Sequence, residues 1–379
     1  MHKIIRIVRS AIFTIVILTP CFRAMAGSVP DTGQTKCYND SVEITCPEPG
    51  EDFYGQDAQY QLNPPSFTKL DAQGNDLPNT ANSWVMVRDN VTGLIWENKK
   101  DMDGNIFSYS NTHDADNSYT WYDSNPDTNG GDAGNPGDGR DTEDFIHALN
   151  SDNFGGFSDW RLPTTEELLS IVDYERYDPS IDTTYFPNTK LWYYWSSTTK
   201  VRFVDRAWRV SFEDGRNDWD YKRNSRYVRA VRGGQSEKTY VDNSDGTVTD
   251  VSTGLVWQQA TAGPMDWKSA LKYCERLTLG GCSNWRLPNI KELASIVDLS
   301  KAGPSIDTTY FPNAIAYYYF SSTTSAAITA NVNLLDFNSG YIDNFPKFYD
   351  FIYVRAVRAG ECVESKKMNM PWLNILLDD

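Results

Sequence analysis

The sequence predicts an α+β protein built from two tandem copies of one domain, each with short antiparallel strands and one or two helices. Three observations lead to this fold class: an internal repeat, a helix-start motif in each copy, and alternating aromatic segments interrupted by glycine turns. A repeat of this kind makes one supersecondary unit the building block of the chain. Period-two and helical spacing then separate the strands from the helices inside each unit.

The repeat consists of three matching blocks. Residues 160–199 align without gaps to residues 285–324, with 26 identities in 40 positions. Thr92–Trp96 reappears with one change at 253–257, and Tyr227–Arg232 is identical to Tyr353–Arg358. The predicted copies therefore span residues 83–234 and 239–360.

The N-terminus is typical of an export signal. Three basic residues precede an apolar stretch at 11–18, and Ala24-Met25-Ala26 suits a signal peptidase. We expect residues 1–26 to be a signal peptide and the protein to be secreted or on the cell surface, with the periplasm as an alternative. Cys21 leaves lipid attachment open, although Pro20 disfavours it. No segment of the mature chain predicts a transmembrane helix.

Three segments lie outside the shared blocks. Residues 27–82 are polar with little periodicity, and we expect a small N-terminal extension pinned by a disulfide. The first copy has about 36 extra residues within 101–144, where Gly, Asn and Asp predict a long loop. Residues 361–379 form a tail.

Cap and turn residues place the elements of each copy. Thr164 with Glu167, and Asn289 with Glu292, form the pattern of a capping box, so each Trp-Arg-Leu-Pro motif should enter a short amphipathic helix. Alternating aromatic and apolar residues on both sides of Asp214-Gly215 predict a β-hairpin. Residues 227–232 predict a closing strand.

Charge and cysteine content limit the class of protein. The chain has a net charge of −16, which becomes −20 without the four basic residues of the signal peptide, and this argues against nucleic acid as a partner. Exported cysteines usually pair. We expect a Cys37–Cys46 bond, whereas Cys274 could pair with Cys282 or with Cys362, and one of these three must be left over.

The repeated motifs resemble the Lcl C-terminal domain family of exported bacterial domains. The shared marks are Thr-Gly-Leu-Ile-Trp, Asp-Trp-Arg-Leu-Pro-Thr, Tyr-Tyr-Trp-Ser-Ser-Thr and Tyr-Val-Arg-Ala-Val-Arg, present in both copies with small changes. Arg161-Leu162-Pro163-Thr164 and the closing strand are also similar to elements of formylglycine-generating enzymes. The resemblance implies two tandem C-type lectin-like domains and a role in adhesion or in binding sulfated glycans.

Catalysis finds little support in the sequence. The first copy contains no cysteine, so it lacks the reactive thiols that formylglycine formation needs. The mature chain has two histidines, His113 and His147, and neither has the spacing of a Ser/His/Asp triad. An enzyme with unrecognised carboxylate chemistry stays a minor alternative.

Calcium is a possible cofactor in the long loop of the first copy. Oxygen-bearing side chains alternate there around a glycine, as hard cations prefer. The candidate ligands are Asp101, Asp103, Asn105, Asp114 and Asp116. The full EF-hand pattern is missing, and local turns of the chain would explain the same residues.

The candidate ligand-binding surface also belongs to the first copy. Residues 200–234 contain ten basic and five acidic residues, and we call this stretch the basic ribbon. With neighbouring aromatic rings it could bind an anionic glycan through arginine contacts, or it could pair with acidic residues of the same chain. The proposed contact residues are Trp192, Tyr193, Trp208, Arg216, Trp219, Tyr221, Lys222 and Arg223. The sequence therefore favours an exported glycan-binding protein or adhesin, and the alternative is a scaffold that contacts proteins of the cell envelope.

Overall fold

The computed structural model of the chain describes residues 29–100, 104, 107–131, 134–234, 237–360 and 362–363. The extension and the first copy contain β1 (Cys37–Tyr38), β2 (Glu43–Ile44), β3 (Phe67–Leu70), β4 (Met86–Asp89), β5 (Ile95–Glu97), α1 (Thr142–Ser151), α2 (Thr165–Ser170), β6 (Tyr193–Thr199), β7 (Arg206–Ser211), β8 (Asn217–Tyr221) and β9 (Val231–Arg232). The predicted signal peptide and most of the tail lie outside the described residues.

The second copy follows the same order of elements. It contains β10 (Tyr240–Asp242), β11 (Thr247–Asp250), β12 (Val256–Gln258), β13 (Ala262–Met265), α3 (Trp267–Arg276), α4 (Ile290–Ser295), β14 (Tyr318–Thr324), β15 (Asn331–Asp336), β16 (Tyr341–Pro346), β17 (Ile352–Val354) and β18 (Val357–Arg358). Short strands and few helices confirm the predicted α+β class.

Each copy carries two sheets with matching strand order. The sheet β3-β4-β5-β9 corresponds to β10-β11-β12-β18, and β6-β7-β8 corresponds to β14-β15-β16. In the second copy, β17 and β13 extend the latter sheet. Because β9 and β18 pair with β5 and β12, the beginning and the end of each copy lie side by side.

The edge strand β3 comes from the segment that the sequence assigned to the extension. It pairs antiparallel with β4, with Phe67 opposite Asp89 and Leu70 opposite Met86. The sheet of the first copy therefore begins before residue 83. The rest of the extension includes the small hairpin β1–β2.

Both predicted capping boxes are present. The Thr164 hydroxyl accepts the Glu167 N–H at 3.2 Å, and the Glu167 carboxylate accepts the Thr164 N–H at 2.8 Å. In the second copy, Asn289 and Glu292 make the same two contacts. Arg161 also donates to both oxygens of Glu167, at 2.7 and 2.6 Å, and so stabilises the first turn of α2. Arg286 makes the same contacts with Glu292 in the second copy. Both helices are only six residues long.

The predicted hairpin is confirmed as β7–β8, with Trp208 opposite Trp219. Gly215 adopts φ +78° in its turn, a backbone conformation that glycine adopts without strain. The predicted closing strand is shorter than expected, because only Val231–Arg232 form β9. Arg229, two residues before β9, is fully buried, and its guanidinium donates to the Glu97 carbonyl at 2.8 Å. Arg355 does the same towards Gln258 at 2.7 Å.

One hydrophobic cluster is shared by the two copies, and each copy also has a cluster of its own. Leu168 and Leu169 of the first copy lie in the same buried cluster as Leu293 and Ala294 of the second. A buried lysine crosses this junction, since the Lys291 ammonium donates to the Ser170 carbonyl at 2.8 Å. The copies are therefore packed against each other through α2 and α4.

The cysteines confirm one expectation and correct another. Cys37 is bonded to Cys46, as predicted, and the second bond joins Cys282 to Cys362. The expected disulfide at Cys274 is wrong: its thiol is free and fully buried, because it belongs to the inner face of α3 with Ala270 and Leu271. Burial raises the pKa of the Cys274 thiol well above its usual range. None of the helices in the described ranges is long and apolar enough to cross a membrane.

Candidate ligand-binding surfaces

Carboxylates of the same chain neutralise most of the basic ribbon. Arg209 pairs with Asp218 at 3.1 Å and with Asp220 at 2.7 Å. Arg216 pairs with Asp214 at 2.6 Å and also reaches Asp343 of the second copy. Further pairs join Lys222 to Asp123, Arg226 to Asp220 and Arg232 to Asp159. The local excess of positive charge is thus compensated within the fold.

Two of the proposed contact residues are not available to a ligand. Trp208 and Lys222 are both buried. The Lys222 ammonium lies 4.4 Å from the centre of the Trp121 ring and donates to the Thr128 carbonyl at 2.8 Å. Lys347 occupies the equivalent place in the second copy, 4.4 Å from the Trp267 ring. These lysines are structural, because cation–π and carbonyl contacts satisfy them inside the fold.

Other residues of the ribbon contact the second copy. The Trp219 ring packs edge-on against Tyr341, with 6.0 Å between ring centres, and the Lys200 ammonium donates to the Ser339 carbonyl at 3.2 Å. Arg223 differs, since it is exposed and stacks over Tyr221 at 4.5 Å. Arg223 is therefore the proposed basic contact that faces solvent.

A group of rings and charges around the exposed Trp192 remains at the start of β6, and its other members are partly buried. Trp192 is 50% exposed and contacts Tyr193 edge-on, with 5.5 Å between ring centres. The Arg209 guanidinium covers Tyr193 at 3.8 Å and is held by Asp218 and Asp220. We call these five residues the polar-aromatic surface. Its ion pairs fix hydrogen-bonding groups beside two aromatic faces.

The second copy has aromatic rings at two positions that are charged in the first. Asp220 corresponds to Phe345 and Arg223 to Phe348 at the repeat offset of 125. Phe348 is 74% exposed. Ring contacts between 4.7 and 6.5 Å connect the members of this copy 2 patch, namely Tyr317, Tyr318, Phe345, Phe348, Tyr349 and Phe351. The run of aromatic residues at 317–320 predicts outward-facing rings that could contact a ligand, but sequence reasoning missed the rings at 345–351, which aligning the copies position by position would have revealed.

The proposed calcium ligands do not form one described site. Asp101, Asp103 and Asn105 lie outside the described residues. Asp114 and Asp116 are buried, and Asp116 pairs with the Lys190 ammonium at 2.6 Å, which supplies the positive charge that a cation would.

A different acidic group lies at the start of α1. Oxygens of Asp141, Glu143 and Asp144 approach within 4.8 Å of one another. Asp141 caps the helix by accepting the N–H groups of residues 143 and 144, and Asp144 accepts those of Gly137 and Gly139 at 2.6 and 2.8 Å. These backbone contacts account for two of the three carboxylates without a metal.

We expect EDTA to shift the melting temperature by less than about 2 °C, because Lys190 and backbone N–H groups already satisfy Asp116, Asp141 and Asp144. The measurement is a thermal melt in EDTA, in buffer alone and in 5 mM calcium chloride. A clear rise in melting temperature with calcium that EDTA reverses would instead show that the folded chain binds calcium.

The family comparison agrees with the repeat. Residues 85–232 and 246–358 each match the model of the Lcl C-terminal domain. Together the matches cover more than half of the chain, and each contains one complete set of the repeated motifs. No curated protein is significantly similar to the chain.

Proposed function

We propose that this chain, which belongs to the Lcl C-terminal domain family, is an exported binding protein that recognises a glycan through the polar-aromatic surface of its first copy. The observation that carries the proposal is the exposed Trp192 ring, in edge-on contact with the partly buried Tyr193, beside the fixed Arg209–Asp218–Asp220 network. Sugar rings stack on aromatic faces while their hydroxyls need convergent polar groups, and this surface offers both.

Export is supported by two features. The chain carries two disulfides, which persist in oxidising compartments. Its first 26 residues also have the pattern of a signal peptide. We further infer a C-type lectin-like architecture for each copy, supported by the pairing of its last strand with an early one, β9 with β5 and β18 with β12.

The charge distribution bears on the kind of glycan. Because carboxylates hold Arg209 and Arg216, few cations of the ribbon remain to contact sulfate groups. We therefore infer that hydroxyl recognition outweighs charge, with Arg223 as a contact for any anionic group. Binding that disappears in 0.5 M salt would contradict this part of the proposal.

The test begins with a glycan array that contains neutral and sulfated oligosaccharides. For the glycan that binds, Trp192→Ala should weaken the affinity about tenfold or more, because a stacked ring at the centre of a contact often contributes 2 kcal/mol. The matched control is Tyr317→Ala, which removes the exposed ring at the equivalent position of the second copy. Equal losses in the two variants, or no binding on the array, would refute the proposed site.

The copy 2 patch favours a second candidate function, contact with another envelope protein. Phe348 and its neighbours form an exposed apolar surface of the kind that marks interaction sites. Phe348→Ser should then leave glycan binding unchanged and abolish capture of that protein by cross-linking on cells. If both glycan binding and protein capture survive in this variant, the patch has no such role.

A further inference from the structure

Residues 31–34, which we call the N-terminal segment, fill a cleft between the two copies. The Thr32 carbonyl accepts the N–H of Tyr174 from the first copy at 2.8 Å. The Gln34 side-chain amide pairs with the backbone of Thr324 at the end of β14, accepting its N–H at 3.0 Å and donating to its C=O at 2.9 Å. The segment thus joins both copies through their backbones. We call this place the filled cleft.

The fit of the segment in the filled cleft is close. Thr32 and Gln34 are buried, and the hydroxyls of Thr32 and Thr323 both donate to Asp57. Gly33 adopts φ +89°, and a Cβ at that position would lie 2.7 Å from a carboxylate oxygen of Asp173. The cleft is therefore specific for an extended polypeptide with a small residue beside Asp173.

The repeat creates the same cleft a second time, between the first copy's β6 and the second copy's Asp298 turn. Thr198 and Thr199 correspond to Thr323 and Thr324, and Leu299 corresponds to Tyr174. This open cleft has a volume of about 570 Å³. Its lining includes Thr164, Thr165, Glu166, Thr198, Asp298 and Leu299.

The groups that the N-terminal segment covers in the filled cleft are uncovered in the open one. Ser322 and Thr323 are 1% and 0% exposed, whereas Ser197 is exposed and Thr198 partly so. The Tyr174 N–H is bonded to Thr32, but the Leu299 N–H has no hydrogen bond within the described part of the chain. Backbone N–H groups lining a cleft normally find a partner.

The two clefts differ in charge at one equivalent position. In the filled cleft the Lys291 ammonium donates to the Asp31 carbonyl at 3.0 Å. The equivalent residue of the open cleft is Glu166, whose side chain is 49% exposed and pairs with Lys238 at 2.9 Å. The Lys291 ammonium also attracts the nearby Asp31 carboxylate, whereas Glu166 repels an acidic side chain at that position. An occupant of the open cleft should therefore carry a basic side chain at the position of Asp31, where it shares the Glu166 carboxylate with Lys238.

We propose that the open cleft binds an extended segment of a second polypeptide chain. A backbone carbonyl of the occupant accepts the Leu299 N–H, and an amide side chain forms hydrogen bonds with the backbone of Thr199. A basic side chain of the occupant pairs with the Glu166 carboxylate. The site is separate from the polar-aromatic surface, because Thr198 and Tyr193 lie about 16 Å apart towards opposite ends of β6. The inference therefore stands independently of the proposed glycan binding.

Two labelled synthetic peptides test the proposal by fluorescence anisotropy with the full mature chain. One has the sequence of residues 29–36, and the other carries Asp31→Lys. The Asp31→Lys peptide should bind at least tenfold more tightly than the natural sequence, because it faces Glu166. In Glu166→Lys protein the preference should invert. Glu48→Lys, the same charge change at an exposed residue of the extension, should keep the original preference.

A second variant locates the binding. Thr198→Trp fills the open cleft and leaves the filled cleft untouched, so it should abolish binding of both peptides while glycan binding persists. Absence of binding by either peptide, an unchanged preference in Glu166→Lys, or full binding in Thr198→Trp would each overturn the proposal. If Thr198→Trp lowers the melting temperature strongly, the charge inversion in Glu166→Lys decides alone.

Discussion

Replacing Glu97 by Gln should lower the free energy of unfolding by about 3–5 kcal/mol, although the two side chains have the same shape. The Glu97 carboxylate is fully buried at the end of β5. It lies 3.1 Å from the Lys99 ammonium and 2.9 Å from Nδ1 of His113. The substitution leaves Lys99 buried without its ion-pair partner, and an unpaired charge is costly in a protein interior. Urea unfolding at pH 7 measures the loss.

The second copy supplies the control for this prediction. Gln258 stands at the position of Glu97 and accepts the N–H of Ala356 at 3.2 Å, as Glu97 accepts that of Ala230 at 3.2 Å. Ala260 stands at the position of Lys99. The double variant Glu97→Gln/Lys99→Ala should therefore recover more than half of the lost stability. A double variant as unstable as the single one would show that the ion pair is not the cause.

The same site predicts a dependence on pH. Burial by itself opposes ionisation, but Lys99 and His113 hold the pKa of Glu97 at about 2. The folded-state pKa is thus below the unfolded value of about 4.3, so the contribution of Glu97 is complete above that value and is lost as the pH falls towards 2. Unfolding of the native chain and of Glu97→Gln at pH 7, 4 and 2.5 should show their stabilities converging in acid.

The Cys282–Cys362 bond should contribute about 4 kcal/mol, because it closes a long loop in the unfolded chain. Its cysteines are 80 residues apart, against 9 for Cys37 and Cys46. Replacing both Cys282 and Cys362 by Ala should cost more than the corresponding change at Cys37 and Cys46, for which we expect about 3 kcal/mol. Urea unfolding under oxidising conditions compares the two double variants.

Cys274→Ala is the control for the disulfide prediction. This thiol is buried but unbonded, so its loss should cost about 1 kcal/mol through a small cavity. Mass spectrometry of unreduced proteolytic fragments should link Cys282 to Cys362 and find Cys274 free to react after unfolding. A fragment linking Cys274 to either partner would contradict the structure.

The comparison of the copies changes the picture of where binding occurs. The sequence pointed to the first copy alone, because its basic ribbon has no counterpart in the second. The fold pairs most of that ribbon with carboxylates, and it exposes Phe348 of the second copy at the position of Arg223. Both copies therefore offer surfaces, one polar-aromatic and one apolar, on the same scaffold.

The sequence by itself determined the features that depend on neighbouring residues. The two copies, the α+β class, the capping boxes at Thr164 and Asn289, and the Asp214-Gly215 hairpin are all as predicted. Caps and tight turns form between residues two to four positions apart, so their chemistry is visible in a short window of sequence. The Cys37–Cys46 bond was predictable for the same reason.

Only the tertiary structure decided which of the singled-out side chains reach solvent. Trp208 and Trp192 look alike in sequence, yet the first is fully buried and the second half exposed. Lys222 is neutralised by Asp123, 99 residues earlier, and Thr32 meets Tyr174 across the junction of the copies. Burial and charge pairing depend on residues that are far apart in the sequence and meet only in the folded chain. A local sequence pattern therefore does not reveal them. The same long-range packing leaves one cleft filled and its repeat open.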